Sequence, residues 1–118
     1  MQMEAGLDTG PVLQRAVCPI AATDTTATLL AKLAALGGTA LAQTLDEMAH
    51  GVATPVPQDD ALATYASKLT KAEADLDWRL GADQLDHRVR AFNPQPVAFT
   101  TLNGEPLRIW QAVPDAAP

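Results

Sequence analysis

The chain has 118 residues, 47% of them hydrophobic but only 4% aromatic, so it holds one modest domain or parts of two, with a core built from Ala, Leu and Val rather than large rings. The formal net charge is −6, which excludes a surface built uniformly to attract nucleic acid. A single cysteine excludes an intrachain disulfide, and no run approaches the roughly 18 consecutive apolar residues of a membrane span; a reduced, cytoplasmic setting is expected.

The first segment, MQMEAGLDTGPVL, places Asp8 between Gly6 and Gly10 in a loop with no capping element before it. An aspartate in such a loop commonly bonds its own backbone in an Asx-type turn. The following PVLQRAVCPI has no helical spacing and reads as a short strand, with Cys18 as a small apolar residue within it.

Thr23, Asp24 and Thr25 supply oxygens that cap free N–H groups, and Leu29, Leu33, Leu36, Ala40, Thr44 and Met48 then recur at three- and four-residue steps. This predicts an amphipathic helix. Gly37 and Gly38 cost about 1 kcal/mol each relative to Ala, and mark either a break or the close approach of another backbone. His50 and Gly51 close the helix, one as a side chain able to carry charge near the negative end of the dipole, the other as a left-handed stop. His50 therefore reads as a helix end and not as a ligand.

The segment VATPVPQDDA, with Pro55, Pro57 and paired aspartates, suits neither helix nor central strand and predicts a linker over 53–63. Beyond it, Thr70 stands three residues ahead of Glu73 as a capping box for a short turn. A further helix carries Leu85, Val89 and Phe92 on one face, with Asp83 or a neighbour as its cap, and is stopped by NPQP; His87 lies off the apolar stripe. Asn103-Gly104 between two short apolar runs predicts a hairpin. The closing PDAAP reads as a frayed tail.

Charge is unevenly spread. Residues 68–90 hold five of the eight Lys and Arg, matched by five of the fourteen acids, so the excess negative charge lies elsewhere in the chain. A mixed-charge stretch of this kind is ordinarily a solvated helix face.

Taken in order, MQMEAGLDTGPVL, YASKLTKAEADLDW and RAFNPQP resemble the methionyl-tRNA formyltransferase family over nearly the whole chain. The resemblance implies an α/β fold: the end of a Rossmann-like formyltransferase domain over 1–52, the linker, and over 64–118 the beginning of an OB-like β-barrel. In that fold MQM lies in a strand and Asp8 in the crevice beyond its carboxyl end, where open α/β sheets bind ligands. Met1 would correspond to an internal position, and the chain to a fragment, an alternative start or a split gene.

The implied reaction moves a formyl group from 10-formyltetrahydrofolate to the amino group of initiator methionyl-tRNA, without a metal, in translation initiation. It needs a neutral amine, a stabilised oxyanion and a proton relay, which the family supplies with an Asn, a His and an Asp. Asp8 matches the third, and Gly6, Leu7, Asp8 and Gly10 the folate-side loop. The Asn and His lie upstream in the family, so this chain by itself is expected to be inactive. Lys68, Lys71 and Arg90 are the expected tRNA contacts, with no DNA or membrane partner. Another folate-dependent formyltransferase, acting on a sugar-nucleotide amine, and a non-catalytic tRNA- or protein-binding segment are the alternatives. Departures from the family's usual residues occur at Ser67 (often Pro), Gln95 (Trp) and Val97 (Gly).

Overall fold

The computed structural model describes residues 1–115. Residues 116–118, the end of the expected tail, lie outside the described residues. In chain order the elements are α1 (Thr26–Ala49), 3₁₀ turns at Asp60–Leu62 and Ala72–Ala74, α2 (Ala82–Ala91), β1 (Ala98–Leu102) and β2 (Glu105–Ile109). They fall into two units: Met1–Pro19 with Lys32–Ala66, and Ile20–Ala31 with Ser67 onward. The proline-rich segment 53–63 therefore groups with the N-terminal residues, and the first turn of α1 with the C-terminal ones.

In the first unit, α1 runs unbroken through Gly37 and Gly38, and a Cβ added at either meets nothing within 4 Å among the described residues. Of its predicted stripe, Thr44 is buried and Leu36 and Ala40 are partly buried, whereas Leu33 and Met48 remain exposed. Leu41 and Leu45 are 60% and 57% exposed. The helix ends as its sequence suggests, with Gly51 at φ +68 and the His50 Nδ1 2.8 Å from the Asp46 carbonyl oxygen.

Two expected strands are absent. Residues 1–4 carry no strand assignment, and the Gln2 N–H donates to the Pro11 carbonyl at 2.9 Å. The PVLQRAVCPI run contributes only an isolated antiparallel bridge between Val12 and Val56, whose N–H groups donate to each other's carbonyl oxygens at 2.8 and 2.9 Å. A strand needs a ladder of partners, and Pro11, Pro19, Pro55 and Pro57 each withhold a donor from one.

The second unit has a core. Ala74, Leu76, Val89, Phe92 and Ala98 are buried together, with Leu85, Phe99 and Ile109 packed against them. The predicted apolar face of α2 is thus the buried one. Its cap is Gly81 and not Asp83: the Gly81 carbonyl accepts from Leu85 at 3.0 Å and its N–H donates to Gln84 Oε1 at 3.4 Å, while Asp83 sits in the first turn. β1 and β2 pair antiparallel through Leu102↔Glu105, with Asn103 and Gly104 both at positive φ, the two-residue turn expected of Asn-Gly.

The LDW stretch fastens the approach segment to this hairpin. Leu76 N–H donates to the Phe99 carbonyl at 2.9 Å, and the Trp78 indole donates to Thr100 Oγ1 at 2.8 Å. Asp77 takes both nitrogens of the Arg79 fork at 2.7 Å, which holds its carboxyl down at about 2. Thr70 donates through its N–H and its hydroxyl to Glu73 at 2.8 and 2.7 Å, and those bonds lower the Glu73 pKa. Only the N–H bond belongs to the expected capping box, because the N-cap of the Ala72–Ala74 turn is Lys71, without a side-chain cap bond.

The first turn of α1 docks onto the end of α2. Thr26 Oγ1 donates to the Ala91 carbonyl at 2.6 Å, Ala27 N–H to the Asn93 carbonyl at 3.3 Å, and the Arg90 guanidinium to the Asp24 carbonyl at 3.0 Å. Free ends of two helices satisfy each other in this way. After α2 the NPQP turn holds cis peptide bonds before Pro94 and Pro96 and leads to Val97 at φ +69. A β-branched residue is unfavourable there and glycine is not.

Candidate functional sites

The Gly6–Gly10 loop lies in the first unit, and together with Met1–Ala5 it encloses a shallow cleft of about 320 Å³. All four predicted loop residues, Gly6, Leu7, Asp8 and Gly10, line it. Asp8 is exposed and sits at φ +55, a left-handed conformation that Asp tolerates better than most residues. Gly10 is buried, and a Cβ there would fall on the Gln2 carbonyl oxygen, so the base of the loop closes only around a glycine.

A side chain from the linker completes the loop. The Gln58 amide nitrogen donates to the carbonyl oxygens of Asp8 at 2.8 Å and of Gly10 at 2.7 Å. The carboxylate of Asp8 is thereby presented on a loop whose backbone is pinned from behind. Neither histidine belongs to this loop: His50 closes α1 and His87 is exposed on α2. Among the described residues no group of three His, Cys, Asp or Glu side chains is arranged to hold a metal ion.

A second candidate surface lies in the second unit. Lys71, Arg108 and Trp110 line an open groove of about 570 Å³ with Leu69 and the Pro94-Gln95-Pro96 turn. Trp110 is 53% exposed, so an aromatic face and two exposed cations share one groove. Of the three expected tRNA contacts, Lys71 lines this groove and Lys68 is exposed beyond its lining. Arg90 is committed elsewhere: its Nε donates to Asp86 at 2.8 Å with both side chains largely buried, and its other arm holds the Asp24 carbonyl. Sequence reasoning missed Arg108 and Trp110, although two residues two apart at a strand end lie on one side of it. It also missed Gln58, for which a proline-rich linker gives no local signal.

Residues 68–117 match the formyl transferase C-terminal domain family. The chain is 53% identical over 112 residues to the methionyl-tRNA formyltransferase of Pseudoalteromonas translucida, and 59% identical over 112 residues to that of Acidithiobacillus ferrooxidans. Each alignment covers 95% of this chain. The chain is a homologue of the methionyl-tRNA formyltransferases. It spans about a third of these relatives, 35% and 36% of their lengths. The aligned 112 residues take in Asp8 and the β1–β2 hairpin, and the matched residues 68–117 fall within the second unit, which also holds residues 20–31. No helix among the described residues is long and apolar enough to cross a membrane.

Proposed function

We propose that this chain furnishes one part of a methionyl-tRNA formyltransferase, which transfers the formyl group of 10-formyltetrahydrofolate to the amino group of methionine carried by initiator tRNA. Asp8 carries the reading. It is an exposed carboxylate on a glycine-flanked, backbone-pinned loop within a chain 53 to 59% identical to enzymes of that name. Its role is to orient a histidine and support the positive charge that forms when this base accepts the amine proton. The histidine and an oxyanion-stabilising asparagine come from polypeptide that matches the remaining two thirds of the relatives. Residues 1–52 are the end of a Rossmann-like catalytic domain, 53–63 the linker and the residues from 64 onward the start of an OB-like domain; translation initiation in the cytoplasm is the setting this reaction implies.

The groove of Lys71, Arg108 and Trp110 supports a tRNA-facing second unit. Lysine and arginine attract phosphates without reading bases, and an exposed indole offers a stacking face. Lys68 joins them as a mobile charge on the same segment, and the internal bonds of Arg90 favour Arg108 as the arginine that meets tRNA.

Formyl transfer to methionyl-tRNA tests this reading, using the chain alone and the chain joined to the part of the Acidithiobacillus relative that it does not match. Activity is expected only in the assembly, and Asp8→Asn should lower it by at least about a hundredfold, the scale of a lost proton-transfer group. A folate-dependent rate from the chain alone, or full activity with Asp8→Asn, would overturn it. Replacing Lys68 and Lys71 by Ala should weaken tRNA binding and reduce the slope of log K against log salt by up to about two.

A further inference from the structure

We infer that Gln58 is the positioning residue for Asp8, so that the linker forms part of the catalytic loop's support; this rests on the catalytic reading of Asp8. A residue at φ +55 between glycines has many alternative conformations unless its neighbouring carbonyls are held. One amide nitrogen holds two of them, Asp8 at 2.8 Å and Gly10 at 2.7 Å. A primary amide has two N–H donors, and these two short bonds are the strong ones; the same nitrogen also lies 3.9 Å from Met1 Sδ, a long contact to a weak acceptor.

The anchor is itself fixed from both sides. Two residues before it, Val56 exchanges backbone bonds with Val12, and the prolines at 55 and 57 restrict the intervening dihedrals. Immediately after it, Asp59 caps the Asp60–Leu62 turn by accepting from the Ala61 N–H at 2.9 Å. Gln58 is therefore a short lever between two pinned points, with its head on the loop. The base of that loop is closed separately, by the Gln2 to Pro11 bond and the close approach at Gly10. What Gln58 adds is control of the turn that aims the carboxylate. Glycines permit a turn; a fixed donor selects one.

Two substitutions separate hydrogen bonding from filling of space. Gln58→Met keeps the length and removes both donors, and Gln58→Glu keeps the shape but turns an acceptor toward two carbonyl oxygens. In the 118-residue chain, NMR should show couplings across the hydrogen bonds from the Gln58 nitrogen to the Asp8 and Gly10 carbonyl carbons. Backbone order parameters in the loop should fall from about 0.85 to below about 0.6 in Gln58→Met, and at least as far in Gln58→Glu. In the assembly with the unmatched part of the Acidithiobacillus relative, kcat should fall about ten- to a hundredfold in the same order, with the KM for methionyl-tRNA unchanged. A loop as rigid in Gln58→Met as in the parent, or a loss confined to KM, overturns the assignment of Gln58. Full activity in Asp8→Asn overturns the underlying reading of Asp8 whatever Gln58 does.

Discussion

The two units of this chain are held by different forces. The second has a shared core in which Val89 and Phe92 are 1% and 4% exposed, and its LDW corner, hairpin and helix ends close around that core. In the first, the buried residues among those described are Gly10 and Thr44, neither a large hydrophobe, while Leu41 and Leu45 stand mostly in solvent. Its order comes from backbone and amide bonds: the Val12–Val56 bridge, the Gln2–Pro11 bond and the Gln58 clamp. Hydrogen bonds contribute about 1 kcal/mol net each, and burying one large side chain about 1.5 to 3. The contrast teaches that an amphipathic pattern specifies a helix and an apolar stripe without specifying what covers it.

The largest effect that would break this contrast is a truncation made in both units. Phe92→Ala removes a ring from a packed cluster and should cost about 3 to 5 kcal/mol in denaturant unfolding. Leu41→Ala removes a larger fraction of exposed surface than of contact and should change stability by less than about 0.5 kcal/mol. Equal losses at the two positions would mean that the Leu41 side of α1 is covered in solution.

A smaller effect sharpens the same point from the backbone side. Gly37 and Gly38 lie in the middle of α1 with open space where a Cβ would go, so replacing either by Ala should stabilise the helix by about 1 kcal/mol. Circular dichroism of the chain would register the gain. The same substitution made in the chain joined to the unmatched part of the Acidithiobacillus relative reports on contact: destabilisation there would place another backbone against these glycines, and a gain in both settings would leave them as plain helix positions.

These expectations follow where the sequence was legible. Local chemistry was: α1 with its His50-Gly51 end, the pairing of Thr70 with Glu73, the apolar face of α2 and the Asn103-Gly104 hairpin all depend on residues within a few positions of one another, although the Thr70 hydroxyl donates to Glu73 where a capping box would have it accept. The strand expected over residues 11–20 was not, because apolar residues without helical spacing say nothing of a partner strand, and only Val56 provides one bond-pair. Nor were the long-range devices. The bond from Thr26 to Ala91 spans 65 residues and that from Gln58 to Asp8 spans 50, and no periodicity records either. At the candidate site, the identity of Asp8 came from a motif and its support from geometry alone. Arg90 shows the converse: the resemblance suggested a tRNA contact, and no local pattern announced that its guanidinium also bonds Asp86 within α2 and the Asp24 carbonyl just before α1.

Acid gives the smallest and most local test of the comparison, because it acts on a corner of the second unit that packing does not bury. The Arg79 fork on both oxygens of Asp77, reinforced by the Arg79 N–H at 3.1 Å, lowers its carboxyl to about 2. A carboxyl whose pKa is depressed on folding stabilises the native state above its unfolded value of about 3.9, and that contribution disappears as pH falls toward the folded value. Arg79 is 89% exposed, so solvent screens the pair and the change is small. Asp77→Asn should leave the midpoint of thermal unfolding nearly unchanged at neutral pH and flatten its decline between about pH 4 and 2. Trp78 fluorescence is the suitable probe, since its indole is bonded to Thr100 beside the pair. Glu73, lowered chiefly by its Thr70 hydrogen bonds, acts in the same direction, so the double replacement Asp77→Asn with Glu73→Gln should flatten the profile further. A profile unchanged by both would show that the LDW corner is held by the Leu76 and Trp78 contacts to β1 and that its charges only decorate it.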